Sequence, residues 1–143
     1  MRHLTAILHH RPAPERGPDH FDLLIGPATS GSGDLELRDV LTWRCGQRPD
    51  RLEPDGTCDL EPIEPHRRWW LDRPIGEFHA LRPPLGEVEV VANGTIERLE
   101  RSGGVLKFGV RWSQYDGVFA YAIDDAVLCR LPHLPDRPVS VSP

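Results

Sequence analysis

Proline and glycine punctuate this chain so evenly that long helices have no room to form. Fifteen Pro and 13 Gly are spread over its 143 residues, and the longest stretch free of both runs only from Val118 to Leu131. Proline removes a backbone donor and clashes with the preceding helical turn, and an interior glycine costs about 1 kcal/mol relative to alanine. Most of the remaining intervals have the length of strands rather than of helices. An all-β or β-rich fold is expected, with at most one short helix. The length suits one domain over residues 1–130, followed by a Pro-rich C-terminal tail over residues 131–143.

The formal net charge of −5 excludes a uniformly basic nucleic-acid coat but leaves a local basic patch open. Sixteen of the 17 cationic side chains are Arg. Arginine offers phosphate a planar fork where lysine offers a point charge, although a GC-rich genome would also favour its codons. No apolar run approaches the length of a membrane span, and no signal peptide is indicated. Cys45, Cys58 and Cys129 are odd in number and lack CxxC spacing, which suits reduced core thiols in a cytoplasm.

Along the chain, Leu4 to Leu8 reads as a first strand and Arg11 to Asp19 as a tight Pro-rich loop. His20 to Ile25 reads as a second strand, ended by Gly26-Pro27 and a flexible insert over Ala28 to Gly33. Leu35 to Cys45 holds another strand. Gly46 to Pro65, polar and rich in Pro and Asp, reads as a long surface connection, and His66 to Leu71 resumes strand character. Glu87 to Val91 alternates, Asn93-Gly94 is a favoured two-residue turn, and Thr95 to Leu99 returns. Ser102 to Gly104 and Asp116-Gly117 continue an antiparallel meander, and Asp124 to Leu131 suits a last strand or one short helix.

Chemistry concentrates in His10, His20-Phe21-Asp22 and His66. Side chains two apart on a strand share a face, so His20 and Asp22 present an imidazole nitrogen beside a carboxylate oxygen. His10, folded back by the Pro-rich loop, supplies a third ligand. Two nitrogens and one oxygen with open positions suit Mn²⁺, Fe²⁺ or Zn²⁺ better than Ca²⁺ or a closed structural zinc site. The bland alternative is that His20 and Asp22 are polar residues at a loop edge. Trp43, Trp69, Trp70 and Trp112 could stack bases, but core packing suits at least three of them. His3, His79 and His133 read as surface residues, and Cys45 as a core thiol.

The runs Ala6-Ile-Leu-His-His10, His20-Phe-Asp-Leu-Leu24, Leu41-Thr-Trp-Arg44 and His66-Arg-Arg-Trp-Trp-Leu-Asp72 occur in an order that resembles the 3′-phosphoesterase domain of bacterial DNA ligase D, and more closely its short stand-alone relatives. The resemblance spans about residues 4–123. It implies a small closed antiparallel β-barrel whose concave interior binds a divalent metal, typically Mn²⁺, and removes a 3′ ribonucleoside or 3′ phosphate from a DNA end. Carried over, it makes His10, His20 and Asp22 the metal ligands and His66 the residue that contacts the reacting phosphate. It also selects His10 over His9, which should face the other side. Implied partners are nucleic-acid 3′ ends and a DNA ligase or other repair protein, with the chain itself acting as a monomer.

The chain departs from that pattern around the phosphate. Leu24 stands where the family has Arg, Gln47 where it has Lys, Arg11 where it has Asp, Trp70 where it has Tyr, and Arg73-Pro74 where it has Glu-Gly. Arg44, Arg67 or Arg68 could supply the missing phosphate grip, or could simply solvate the outer barrel face. Two other functions fit the residues. One is a non-catalytic metal-bearing module that binds a DNA end or a protein. The other is a non-haem iron oxygenase, whose facial triad also reads as HxD with a distant His; too few strands precede His20 for its usual double-stranded β-helix.

Overall fold

Among the described residues, strands make up 56% and helix 9%, with no helix of seven residues or more. The computed structural model describes residues 2–29, 34–83 and 85–133. Nine strands run in chain order: β1 (His3–Arg11), β2 (His20–Pro27), β3 (Val40–Cys45), β4 (Thr57–His66), β5 (Phe78–Ala80), β6 (Glu87–Ser102), β7 (Val105–Trp112), β8 (Phe119–Asp124) and β9 (Val127–Leu131). Their hydrogen-bonded order is β1-β2-β3-β4-β9-β8-β7-β6-β5. Antiparallel pairing of β1 with β6 closes eight of them into a barrel, as expected from the sequence.

The core follows from period-two alternation around that barrel. Each of the eight strands sends at least one residue into the lumen, among them Ile7, Leu23, Cys45, Leu60, Ala92, Phe108, Tyr121 and Leu128. A second apolar cluster lies on the opposite face of β1, β2, β3 and β6 only. There Ala6, Leu8, Leu24, Val40, Val88 and Val90 are covered by Trp70 and Leu71 from a 3₁₀ turn at Arg68–Asp72. Burial on both faces explains why Leu23-Leu24-Ile25 is continuously apolar instead of alternating.

Several expectations need correction. Asn93-Gly94 is not a turn: β6 runs through it without a break, pairing with β1 on one edge and with β5 and then β7 on the other. Gly94 serves close approach, since a Cβ there would strike the Arg111 carbonyl. The Asn93 side-chain amide donates to the Arg73 carbonyl at 2.9 Å. His66 to Leu71 is not a strand either. Only His66 belongs to β4, and the bulky residues after it are buried through the 3₁₀ turn, whose Arg68 and Trp69 amides donate to the Leu37 and Leu35 carbonyls at 2.9 and 3.0 Å.

The Gly46–Pro65 segment is no surface connection. A short turn at Pro49–Arg51 enters one end of the barrel, where the Tyr121 hydroxyl donates to the Pro49 carbonyl at 2.8 Å and accepts from the Trp112 indole at 3.0 Å. The residues after it form most of β4, with Cys58 and Leu60 inward. Pro62 and Pro65 lie beyond the short ladder that β4 makes with β9, on strand whose second edge needs no donor. Asp124 to Leu131 holds a strand, β9, and Asp125 takes the left-handed turn before it at φ 57°. Part of the proposed flexible insert, residues 30–33, and most of the tail, residues 134–143, lie outside the described residues.

Candidate metal centre

His10, His20 and Asp22 come together on the outer wall of the barrel. His10 is the register partner of His20 across β1–β2, Asp22 follows two residues on, and Arg44 is the register partner of Asp22 across β2–β3. All four share the face of Leu8 and Leu24, opposite the lumen residues Leu23 and Ile25. The expectation of a metal held inside the barrel is therefore corrected: apolar side chains from all eight barrel strands fill the lumen, and the candidate ligands sit on the wall.

One potential ligand atom from each of His10, His20 and Asp22 lies within 4.8 Å of the others. His10 Nδ1 and His20 Nε2 face each other at 3.1 Å. His10 Nε2 is 2.7 Å from the Leu85 carbonyl, which can only accept, so in the neutral ring the proton sits on Nε2 and Nδ1 offers its lone pair. His20 turns Nε2 toward His10 and Asp22. Burial, offset by the Asp22 charge and reinforced by Arg44 and His10, holds His20 below the ordinary imidazole pKa. Two imidazole nitrogens thus face each other where one ion could sit. Ligand atoms about 2.0–2.1 Å from one ion lie about 3 Å apart at a right angle, which fits this pair.

Asp22 adds the charge. It is only 3% exposed, and its Oδ1 has no hydrogen-bond partner. Oδ1 lies 3.5 Å from His20 Nε2, and Oδ2 lies 3.5 Å from His66 Nε2. A buried carboxylate oxygen without a partner is costly, and a cation beside it removes the cost. The donor set of two nitrogens and one oxygen fits a divalent ion with open positions, and the residues alone do not identify which metal.

His66 reaches the group from β4. Its amide donates to the Thr42 hydroxyl at 3.2 Å, and that hydroxyl donates to the Val40 carbonyl at 3.0 Å, beside an irregularity in the β3–β4 ladder. His66 Nδ1 lies 3.3 Å from the Glu64 carbonyl, leaving Nε2 toward Asp22. A cavity of about 450 Å³ opens on the other side, walled by His10, His20, Arg44, Arg16, Leu85 and the Pro-rich loop.

The remaining candidates divide clearly. Arg44 lines the cavity. Arg67 pairs with Glu36 at 3.1 Å and lies over the Trp69 ring, and Arg68 pairs with Asp39 at 2.6 Å; neither lines the cavity. His9 stacks on Phe21 and reaches Asp19 at 3.2 Å, away from the ligand group. Trp112 and Trp70 are buried, and Trp43 and Trp69 pack partly buried against the two cores. His79 is not a free surface residue: it packs edge-on against Trp69 and Trp70 and meets Glu77 at 2.7 Å. Cys45 is buried, and its hydrogen bond with Cys58, together with burial, pushes its thiol well above the usual range, as suits a core thiol. The full burial of Leu24 explains one departure from the family pattern, since an arginine there would have to push its charge under Trp70 and Leu71.

Sequence reasoning missed Arg16, Thr42, Leu85 and Gly86. No periodicity marks Arg16, Leu85 and Gly86, which act from loop positions, and Thr42 acts only through a partner on the next strand, its hydroxyl accepting from the His66 amide. Gly86 has φ 86°, and a Cβ there would strike the Arg11 carbonyl and lie 2.6 Å from Pro12 Cα. That contact seats the Leu85 carbonyl on His10. Gly86→Ala is expected to displace this carbonyl and weaken Mn²⁺ binding by about 10–100-fold, as for other partners that orient a ligating histidine. Calorimetric titration with Mn²⁺ checks it, and unchanged affinity would show that His10 needs no such support.

The chain matches no protein-family model, and no curated protein matches it.

Proposed function

We propose that this protein is a metal-dependent phosphoesterase that processes the 3′ ends of nucleic acid, removing a terminal ribonucleoside or phosphate in DNA end repair, where a ligase would use the product. The reading is carried by one observation: two imidazole nitrogens that line a cavity also presenting Arg44 stand beside an orphaned, buried carboxylate oxygen. Mn²⁺ is the favoured ion, with Zn²⁺ and Fe²⁺ as alternatives.

His10, His20 and Asp22 would hold the ion, which when bound supplies a Lewis acid for a phosphoryl oxygen and an acidic water. Arg44 grips the phosphate through its planar fork. His66, with Nδ1 against the Glu64 carbonyl and Nε2 turned toward Asp22, would steady the leaving oxygen as the bond from phosphorus breaks.

The test is cleavage of a DNA primer ending in a 3′ ribonucleotide or 3′ phosphate by the Mn²⁺-loaded protein. His66→Gln should lower turnover by about 10²–10⁴-fold while metal binding persists. Metal binding without product under any of the three ions would remove the enzymatic reading. A second reading has its own support, since His66 is not among the residues lining the cavity. A non-catalytic module that holds a metal and a DNA end would bind nicked DNA and release nothing.

A further inference from the structure

Arg16 and Arg44 face one cavity without a carboxylate of their own. Among the described residues neither has an acidic group within ion-pair distance, whereas Arg11, Arg48, Arg67, Arg68, Arg73 and Arg111 each do. Arg16 ends the short turn Pro14–Arg16, closed by its own amide on the Ala13 carbonyl at 2.8 Å. Arg44 is opposite Asp22 in the ladder yet makes no ion pair with it. The wall between the two arginines carries Pro12, Pro18 and Leu85, which compete for neither guanidinium.

The charges at this site do not balance. Two guanidiniums stand against the single carboxylate of Asp22, and once a divalent cation is held the excess grows to four positive charges against one negative. A ligand carrying two negative charges on one group answers that excess better than a ligand carrying one. Three prolines hold the loop that presents Arg16, so little ordering entropy is lost when an anion arrives.

We propose that Arg16 and Arg44 form a clamp for a terminal phosphate monoester, and that Arg16 sets a preference for its dianion over the monoanion of a phosphodiester. The inference rests on the phosphoesterase reading above and narrows it to an end group.

The test titrates the Mn²⁺-loaded full chain with methyl phosphate and with dimethyl phosphate at about pH 8, above the second phosphate pKa of about 6. The wild type is expected to bind methyl phosphate at least about tenfold more tightly. Arg16→Ala should bring that ratio close to one with Mn²⁺ affinity unchanged. Arg16→Lys, which keeps the charge without the fork, should retain part of it, and Arg44→Ala should weaken both ligands. Equal affinities in the wild type, no binding of either ligand, or an unchanged ratio in Arg16→Ala would each overturn the clamp. Turnover of a 3′-phosphate primer is scored separately. Preference for methyl phosphate without turnover removes the hydrolase reading and leaves the clamp standing, whereas turnover with a ratio indifferent to Arg16 does the reverse.

Discussion

Asp22→Asn should abolish useful Mn²⁺ binding and leave the metal-free barrel at least as stable as the wild type. The two effects have opposite signs for one reason. In the absence of a cation, the buried Oδ1 of Asp22 has neither solvent nor a hydrogen-bond donor, and such a group costs about 1–3 kcal/mol or more when charged. A neutral amide of the same shape removes most of that cost. It also removes the only anionic donor of the set, and a hundredfold loss in affinity corresponds to about 2.7 kcal/mol. Thermal melts with and without Mn²⁺ give both quantities, since a ligand at 100 times its dissociation constant stabilises the native state by about 2.7 kcal/mol. The wild type should therefore rise in melting temperature with Mn²⁺ and Asp22→Asn should not. A variant that binds Mn²⁺ normally, or that loses several kcal/mol without metal, would mean that Asp22 is a structural carboxylate.

Asp50→Ala should destabilise the fold severely and spare the metal site. Asp50 accepts from Arg48 at 3.0 and 2.7 Å and from the Tyr115 hydroxyl at 3.1 Å, inside the turn that fills one end of the barrel. Its side chain is fully buried. Removing the carboxylate strands the Arg48 guanidinium, whose remaining bond is to the Val91 carbonyl at 3.3 Å. Breaking a buried pair on one side costs about 3–5 kcal/mol. At roughly 2–4 °C per kcal/mol for a domain of this size class, the melting temperature should fall by about 10 °C. Arg68→Ala breaks the equally well-formed but solvent-facing pair with Asp39 and should hardly move the transition. Comparable losses in the two variants would show that burial does not set the value of these pairs.

Much of this was legible in the residues because it depends on local alternation. His20 and Asp22 share a face by strand periodicity, and a Pro-rich loop of nine residues is enough to bring His10 back opposite them. The turns at Ser102 to Gly104 and Asp116-Gly117 fall where the hairpins need them. What stayed hidden depends on distant partners. The inward pair Cys58 and Leu60 is too short a signal among Asp, Glu and Pro to reveal β4. Asn93-Gly94 carries the chemistry of a turn, but the ladder that closes the barrel overrides it. The side of the wall that bears the site could not be read at all. It is set by Trp70 and Leu71, which arrive from a turn some fifty residues away and bury a second face of β1 and β2.

That second face gives the molecule two independent sets of positions written on the same strands. Odd positions on β2, such as Phe21, Leu23 and Ile25, meet the interior, while the even positions His20 and Asp22 belong to the candidate metal group. Exchanging the even set should change the candidate site without repacking the scaffold. A library randomised at residues 20, 22 and 44 should therefore stay largely folded, and one randomised at residues 21, 23 and 43 should not.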